Sequence, residues 1–246
     1  MSRFIFLLVA AIIYAIFFAT FLYLIGFVAG LPVLPTNVDK GQMLPTLAAV
    51  PIDLALIAMF GLQHSIMARP AFKAAWTQIV PKPIERSVYV LAASVMLIVL
   101  FAFWSPIGGL VWQVDMPVAR NLLWALFGLG WAVVLLSTFL INHFELFGLS
   151  QVFQNLRNRA PAAPALRTPF FYKLVRHPLY TGFFIAFWAT PTMSYGHLLL
   201  AAGMSTFMLI AIQYEERDLI DTFGNDYVAY RKRVGMLTPR LWRARK

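Results

Sequence analysis

Arg176-His177-Pro178-Leu179-Tyr180-Thr181-Gly182 opens the stretch that decides how this chain folds, and Phe223-Gly224-Asn225-Asp226-Tyr227-Val228-Ala229-Tyr230-Arg231 closes it. Between them lie two apolar segments, Phe183 to Ala189 and Leu198 to Ile212, which turn at Pro191 to Gly196. A charged patch, Tyr214-Glu215-Glu216-Arg217-Asp218, follows the second. His, Tyr, Glu and Arg gathered at the two ends of one hydrophobic hairpin predict a polar site set against lipid.

Outward from the hairpin the chain stays apolar. Of its 246 residues 61% are hydrophobic and 12% charged, against about 25% charged in a soluble domain. This is the composition of an integral membrane protein. Phe4 to Ala29 exceeds the roughly 20 residues a bilayer requires and is expected to be a retained span rather than a signal peptide. Pro45 to Ser65, Val88 to Trp104 and Val118 to Ile141 are three more spans. Leu31 to Leu44 reads as a turn-rich loop, Pro70 to Arg86 as a loop with an interfacial helix, and Ala160 to Pro169 as a linker. Leu146 to Asn158, with Phe147, Val152, Phe153 and Leu156 at helical spacing, is expected to lie along the membrane surface. The predicted fold is all-α and polytopic, with four full transmembrane helices, a C-terminal helical hairpin and a cytoplasmic helical tail. It divides into residues 1–141 and 142–246.

The 20 Lys and Arg are unevenly placed: all but Lys40 and Arg120 fall on the face that carries both termini. By the positive-inside rule that face is cytoplasmic. His64, His143, His177 and the Glu215 cluster are then all expected at the cytoplasmic end. The net charge of +10 is accounted for by this asymmetry and does not point to nucleic acid. The absence of Cys excludes disulfides, thiolate zinc sites, iron-sulfur clusters and a cysteine nucleophile.

Arg-His-Pro-Leu-Tyr-Thr-Gly, a Glu-Glu pair some thirty residues on, and Phe-Gly-x-x-Tyr-x-x-Tyr-x-x-x-Val resemble the C-terminal half of the isoprenylcysteine carboxyl methyltransferase and phospholipid methyltransferase superfamily. The whole chain, through Asn142-His143-Phe144-Glu145-Leu146-Phe147-Gly148 and Phe187-Trp188-Ala189-Thr190-Pro191-Thr192-Met193, is similar to its methanethiol S-methyltransferase branch. NnrU-like membrane proteins share part of the pattern. The resemblance implies S-adenosyl-L-methionine as cofactor, cradled by the C-terminal helices on the cytoplasmic side of a bacterial inner membrane. It also implies a small thiol as substrate and no metal.

Such chemistry asks the protein to bind the cofactor, exclude water and align a nucleophile. Attack of a thiolate on a sulfonium annihilates charge, so a low-dielectric pocket at the membrane boundary favours it. A small apolar thiol also partitions toward lipid. The site still needs a base or a cation to make the thiolate.

Arg176, His177, Tyr180, Gly182, Tyr214, Glu215, Glu216, Tyr227 and Arg231 are the candidate cofactor-binding residues. His177 can face the adenine or cap the helix that Pro178 begins. Tyr180 and Gly182 can approach the cofactor or simply pack and anchor a membrane helix. Glu215 and Glu216 point about 100° apart, so one is expected to bind cofactor and the other to pair with an Arg. Tyr227 and Arg231 share a helix face. Lys232 and Arg233 suit anionic headgroups. His64, His143 and Arg217 are the candidates for thiol activation, and Asn142 and Trp188 the candidate substrate-side residues. Asp53, buried in a span, needs a partner or a cavity. Three alternatives use the same residues: a methyltransferase with a lipid or prenylcysteine acceptor, a nicotinamide-dependent membrane reductase, and a haem accessory protein ligated by histidine.

Overall fold

A computed structural model describes residues 3–159 and 165–240. Residues 160–164 of the expected linker, and the basic tail past Arg240, lie outside the described residues. The chain runs α1 (Arg3–Val28), α2 (Thr46–Ala68), α3 (Pro70–Trp76), α4 (Lys82–Phe103), β1 (Leu110–Gln113), α5 (Pro117–Ile141), α6 (His143–Leu146) and α7 (Leu149–Leu156). A 3₁₀ turn over Phe170–Lys173 then leads into α8 (Pro178–Trp188), β2 (Thr192–Ser194), α9 (Tyr195–Phe223) and α10 (Asn225–Arg233). Among the described residues α1, α2, α4, α5 and α9 are long and apolar enough to cross a bilayer. The protein is an all-α polytopic membrane protein carrying one small β-pair.

Two compact units divide the chain. One draws on Met1–Gln113, Phe144–Ala162 and Thr192–Met204, the other on Val114–His143, Ala163–Pro191 and Ser205–Lys246. In the first, α1, α2 and α4 pack together and α7 lies against α1 and α4. The Phe17 and Phe147 rings stack with centroids 4.1 Å apart. Gly148 has φ +89°, and a Cβ there would come within 2.7 Å of the Ser87 amide nitrogen, so the close approach of this turn to α4 requires glycine. β1 and β2 pair antiparallel, Leu110 with Ser194 and Gln113 with Thr192, with a bulge between. The loop after α1 joins them there: the Trp104 indole donates to Val38 O at 3.1 Å, and the Ser194 hydroxyl donates to Asp39. Buried Asp53 accepts the Ser105 amide at 3.0 Å.

The second unit rests on the α5–α8 pair. Their register is antiparallel: Gly130 faces Gly182 and Ala186, and Val134 faces Gly182. Added Cβ atoms would sit 2.7 Å from the Ala186 nitrogen and from the Gly130 carbonyl oxygen respectively. Small residues thus let two backbones touch, as in membrane helix pairs generally. Trp131 fills the next layer, edge-on to Phe183 and Phe187. α8 has 11 residues, about 16 Å of helix against a hydrocarbon core of about 30 Å, and the segment Ala189–Pro191 carries the chain onward without helix. Glu216 lies about 30 Å along the α9 axis from Tyr195.

Hydropathy and helix bounds differ where charge enters. α4 begins at Lys82, six residues before the apolar run starts at Val88. A proline in its first turn and Glu85 near its positive end suit a helix start in water, whereas hydropathy marks only the lipid-level part. For the same reason α9 continues eleven residues past Ile212 to Phe223.

Candidate functional site

The end of α9, the start of α8 and α10 bring one buried carboxylate into contact with three cationic or ionisable side chains. Glu216 Oε1 accepts from Arg176 Nε at 2.7 Å and from His177 Nε2 at 3.1 Å, and Arg231 Nε lies 3.4 Å from Oε2. The Arg176, His177 and Glu216 side chains are 8%, 4% and 6% exposed, whereas Arg231 is 51% exposed. Local chemistry sets each position. Pro178 occupies the first turn of α8, where a missing N–H costs nothing, and leaves His177 as the residue that enters it. Gly224, with φ +56°, makes the turn between α9 and α10. Asp226 in the first turn of α10 and Arg231, Lys232 and Arg233 in its last complement the helix dipole.

The two neighbouring glutamates separate as the helical rotation requires. Glu216 takes the arginines. Glu215 is 45% exposed and, among the described residues, its one ion-pair contact is His177 Nδ1, at 4.0 Å. Two guanidiniums gather around the single buried carboxylate, so the cluster carries surplus positive charge on its exposed side at Arg231.

Tyr227 and Tyr230 are buried with Val234 in a small core that includes Leu166, Leu219, Ile220 and Phe223. Tyr230 donates to Tyr172 O at 2.6 Å. Its hydroxyl pKa is pushed up to about 12 by burial, with Arg176 pulling it down and Glu216 raising it. Tyr227 is 2% exposed, and its hydroxyl has no hydrogen-bond partner among the described residues. Burial, reinforced by Glu216, pushes its pKa up and keeps it protonated, so the group is a donor awaiting an acceptor.

Of the other sequence candidates, Tyr180 packs its ring 5.7 Å from that of His177. Gly182 lies in the α5–α8 seam, the helix-packing alternative weighed for it. Exposed Tyr214 and Arg217 pair with each other, the guanidinium 5.6 Å from the ring. Trp188 Nε1 donates to Ser205 at 2.9 Å and ties α8 to α9, while Asn142 caps α5 through the Thr138 carbonyl. His64 belongs to the first unit, where the Tyr89 hydroxyl lies 2.9 Å from its Nε2 and Arg86 covers the Tyr89 ring.

His143 belongs to the same unit as the cluster. Carrying the α5–α8 register one turn past Val134–Gly182 sets Thr138 level with Pro178, so His143 falls at the Arg176–His177 end of the pair. Its ring stacks on Phe139 at 4.2 Å, and Nδ1 is 2.8 Å from Thr138 Oγ1. The Thr138 hydroxyl donates its one proton to Leu135 O at 2.7 Å. With that proton on Leu135 O, Thr138 Oγ1 is placed to accept from His143 Nδ1–H, the tautomer in which Nε2 is the unprotonated nitrogen. Burial lowers the His143 pKa and favours this neutral form.

Sequence reasoning passed over Tyr172, Thr181 and the segment after α10. Tyr230 and Val234 stood in the quoted motif without a role. The signal for the segment after α10 was Gly235, two residues past a basic helix end.

Several membrane-crossing helices, with a buried Arg–His–Glu–Tyr cluster where the last of them ends in charged residues, define a polytopic membrane protein whose polar site is built from α8, α9 and α10. No family model and no solved structure matches the chain. It is 51% identical over 94% of its length, and 80% of the relative's, to Methanethiol S-methyltransferase 1 of Bradyrhizobium diazoefficiens. It is 49% identical over 92% of its length to Methanethiol S-methyltransferase of a Pseudomonas strain, covering 87% of that protein. The corresponding Mycobacterium tuberculosis protein is 47% identical over 97% of this chain and 98% of its own length. The chain belongs to the methanethiol S-methyltransferase family and is a methyltransferase.

Proposed function

We propose that this enzyme methylates methanethiol to dimethyl sulfide with S-adenosyl-L-methionine, at the cytoplasmic face of a bacterial inner membrane. The observation that carries the reading is the buried Arg176–His177–Glu216 cluster, with half-exposed Arg231 at its edge and the buried Tyr227 hydroxyl within its electrostatic reach, in a chain of this family. Those residues fit the cofactor by their donor set. The orphaned Tyr227 hydroxyl seeks an acceptor, Arg231 offers an exposed cation for a carboxylate, and Glu215 offers a carboxylate for ribose hydroxyls or an ammonium. When bound, S-adenosylmethionine supplies a methyl group already activated on a sulfonium.

The chain's own residues do the rest. Arg176 and Glu216 hold each other and keep α8, α9 and α10 in register. His143 Nε2 takes the thiol proton, with Thr138 fixing the tautomer. The apolar side chains of the membrane helices exclude water and admit a small apolar thiol from the bilayer. His64 is the second candidate for the base, in its own pairing with Tyr89.

Purified full-length protein in detergent, given cofactor and methanethiol, is expected to release dimethyl sulfide, measured by gas chromatography. Absence of product together with absence of cofactor binding would overturn the reading. Turnover of a prenylcysteine instead would replace the acceptor.

Tyr227→Phe separates a ligand role from a packing role. Deleting an unpartnered buried hydroxyl is expected to leave the melting temperature unchanged or slightly raised. It should weaken S-adenosylhomocysteine binding about tenfold, the worth of one hydrogen bond. Unchanged affinity by calorimetry would remove Tyr227 from the site.

A further inference from the structure

Four successive carbonyls just past α10 are all engaged by one short segment 58 residues earlier in the chain. Val234 O accepts from an Arg176 guanidinium N–H at 2.6 Å, and Gly235 O from the Arg176 amide at 2.8 Å. Met236 O accepts from the His177 amide at 3.1 Å, and Leu237 O from the Thr181 hydroxyl at 2.9 Å. Val175 and Gly235 form an isolated parallel bridge in the middle of this contact.

An extended strand sends successive carbonyls to opposite sides, so four in a row can reach one neighbour only if the chain curls. The chain bends on both sides of Gly235, at Val234 and over Met236–Thr238, and folds back against it. A Cβ there would overlap the Thr238 carbonyl oxygen and stand 3.1 Å from its carbon and 3.3 Å from the Arg240 nitrogen. A side chain at 235 forces backbone, not a flexible tip, to move.

We infer that Val234–Leu237 is a strap that aims Arg176 and His177 at Glu216, with Gly235 and Thr181 as its positioning residues. The amides of Arg176 and of the N-cap His177 lie just ahead of α8 and outside its hydrogen-bond ladder, and the strap carbonyls satisfy both. The same strap holds the Arg176 guanidinium through Val234, with a second bond at 3.2 Å to Arg231 O. Through it the end of α10, which carries Tyr227 and Arg231, is fixed to the start of α8. Neither Gly235 nor Thr181 is among the groups assigned to ligand contact. Their effect on the cofactor, which rests on the reading above, passes through the geometry of Arg176 and His177.

The absence of Cys allows a direct test without cofactor. Leu237→Cys in the full-length protein supplies a single thiol, and its rate of reaction with a maleimide in detergent reports release of the strap. Adding Gly235→Ala or Thr181→Val is expected to raise that rate about tenfold, the loss of one hydrogen bond's worth of closure. Thr181→Ser, which keeps the hydroxyl, is expected to restore the slow rate. Equal rates in all four proteins would overturn the strap.

In the cysteine-free background, Gly235→Ala and Thr181→Val are expected to raise KM for S-adenosylmethionine about tenfold and to leave kcat within threefold. Faster labelling with unchanged KM would overturn the positioning role. Fast labelling in both variants together with no S-adenosylhomocysteine binding in the unsubstituted protein would support the strap and count against the cofactor reading alone.

Discussion

Glu216→Ala is expected to lower the melting temperature by about 10 °C and to abolish cofactor binding with it. The carboxylate sits among an arginine 8% exposed and a histidine 4% exposed, with a second arginine alongside. Removing it leaves the Arg176 guanidinium buried without a counter-charge. Breaking a buried ion pair from one side costs about 3–5 kcal/mol, and at about 2–4 °C per kcal/mol for a protein of this size the melting point falls by the amount stated. Glu216→Gln keeps the volume and one acceptor oxygen and should lose about half as much. The neighbouring Glu215→Ala makes the control: that side chain is half exposed and pairs with no guanidinium among the described residues, so its removal should cost under about 0.5 kcal/mol of stability and act on ligand affinity instead. Thermal unfolding in detergent with S-adenosylhomocysteine titrations separates the two. A Glu216→Ala protein that melts with the unsubstituted one would show that Arg176 is held by other groups.

That distinction between adjacent glutamates also marks where sequence stops being legible. Helical geometry dictated that Glu215 and Glu216 cannot share one contact, but nothing local says which faces inward. Position 216 is chosen by Arg176, forty residues away, and by the Gly224 turn that brings Arg231 back over it. The spans were readable because hydropathy acts at every residue: Phe4 to Ala29 stands against a helix over Arg3–Val28, and Val118 to Ile141 against Pro117–Ile141. Their ends were less so. Lys82 to Ser87 and Glu215 to Phe223 are helical yet polar, and hydropathy reports the solvent a helix crosses rather than the helix itself. β1 and β2 escaped because three or four paired residues in a loop carry no periodicity to detect. Gly182 shows the opposite difficulty. In a motif rich in His and Tyr a glycine reads as room for a ligand, but the room here is filled by Gly130, whose position in α5 no pattern near Gly182 could reveal.

The proposed chemistry rests most on His143 as base, and on that reading His143→Asn is expected to lower kcat/KM by about 100-fold or more, the range of a lost general base. Asparagine can still donate to Thr138 from the side-chain position that Nδ1 held, so packing and the α5 terminus are kept while the Nε2 lone pair disappears. The acid limb of the pH profile tests the same assignment. A base works when unprotonated, and burial lowers the His143 pKa, so the neutral form persists into more acid solution. The plateau of kcat/KM should extend below about 6.5, the ordinary histidine value, and bend down only below it. In His143→Asn that limb should vanish. Thr138→Val removes the acceptor that fixes the tautomer and should cost about tenfold while retaining a limb, because the imidazole remains. His64→Asn, in the unit where His64 pairs with Tyr89, should stay within a few-fold of the unsubstituted enzyme. If it is His64→Asn that loses the limb while His143→Asn keeps it, His64 is the base, and Thr138 is a helix-end contact with no part in the reaction.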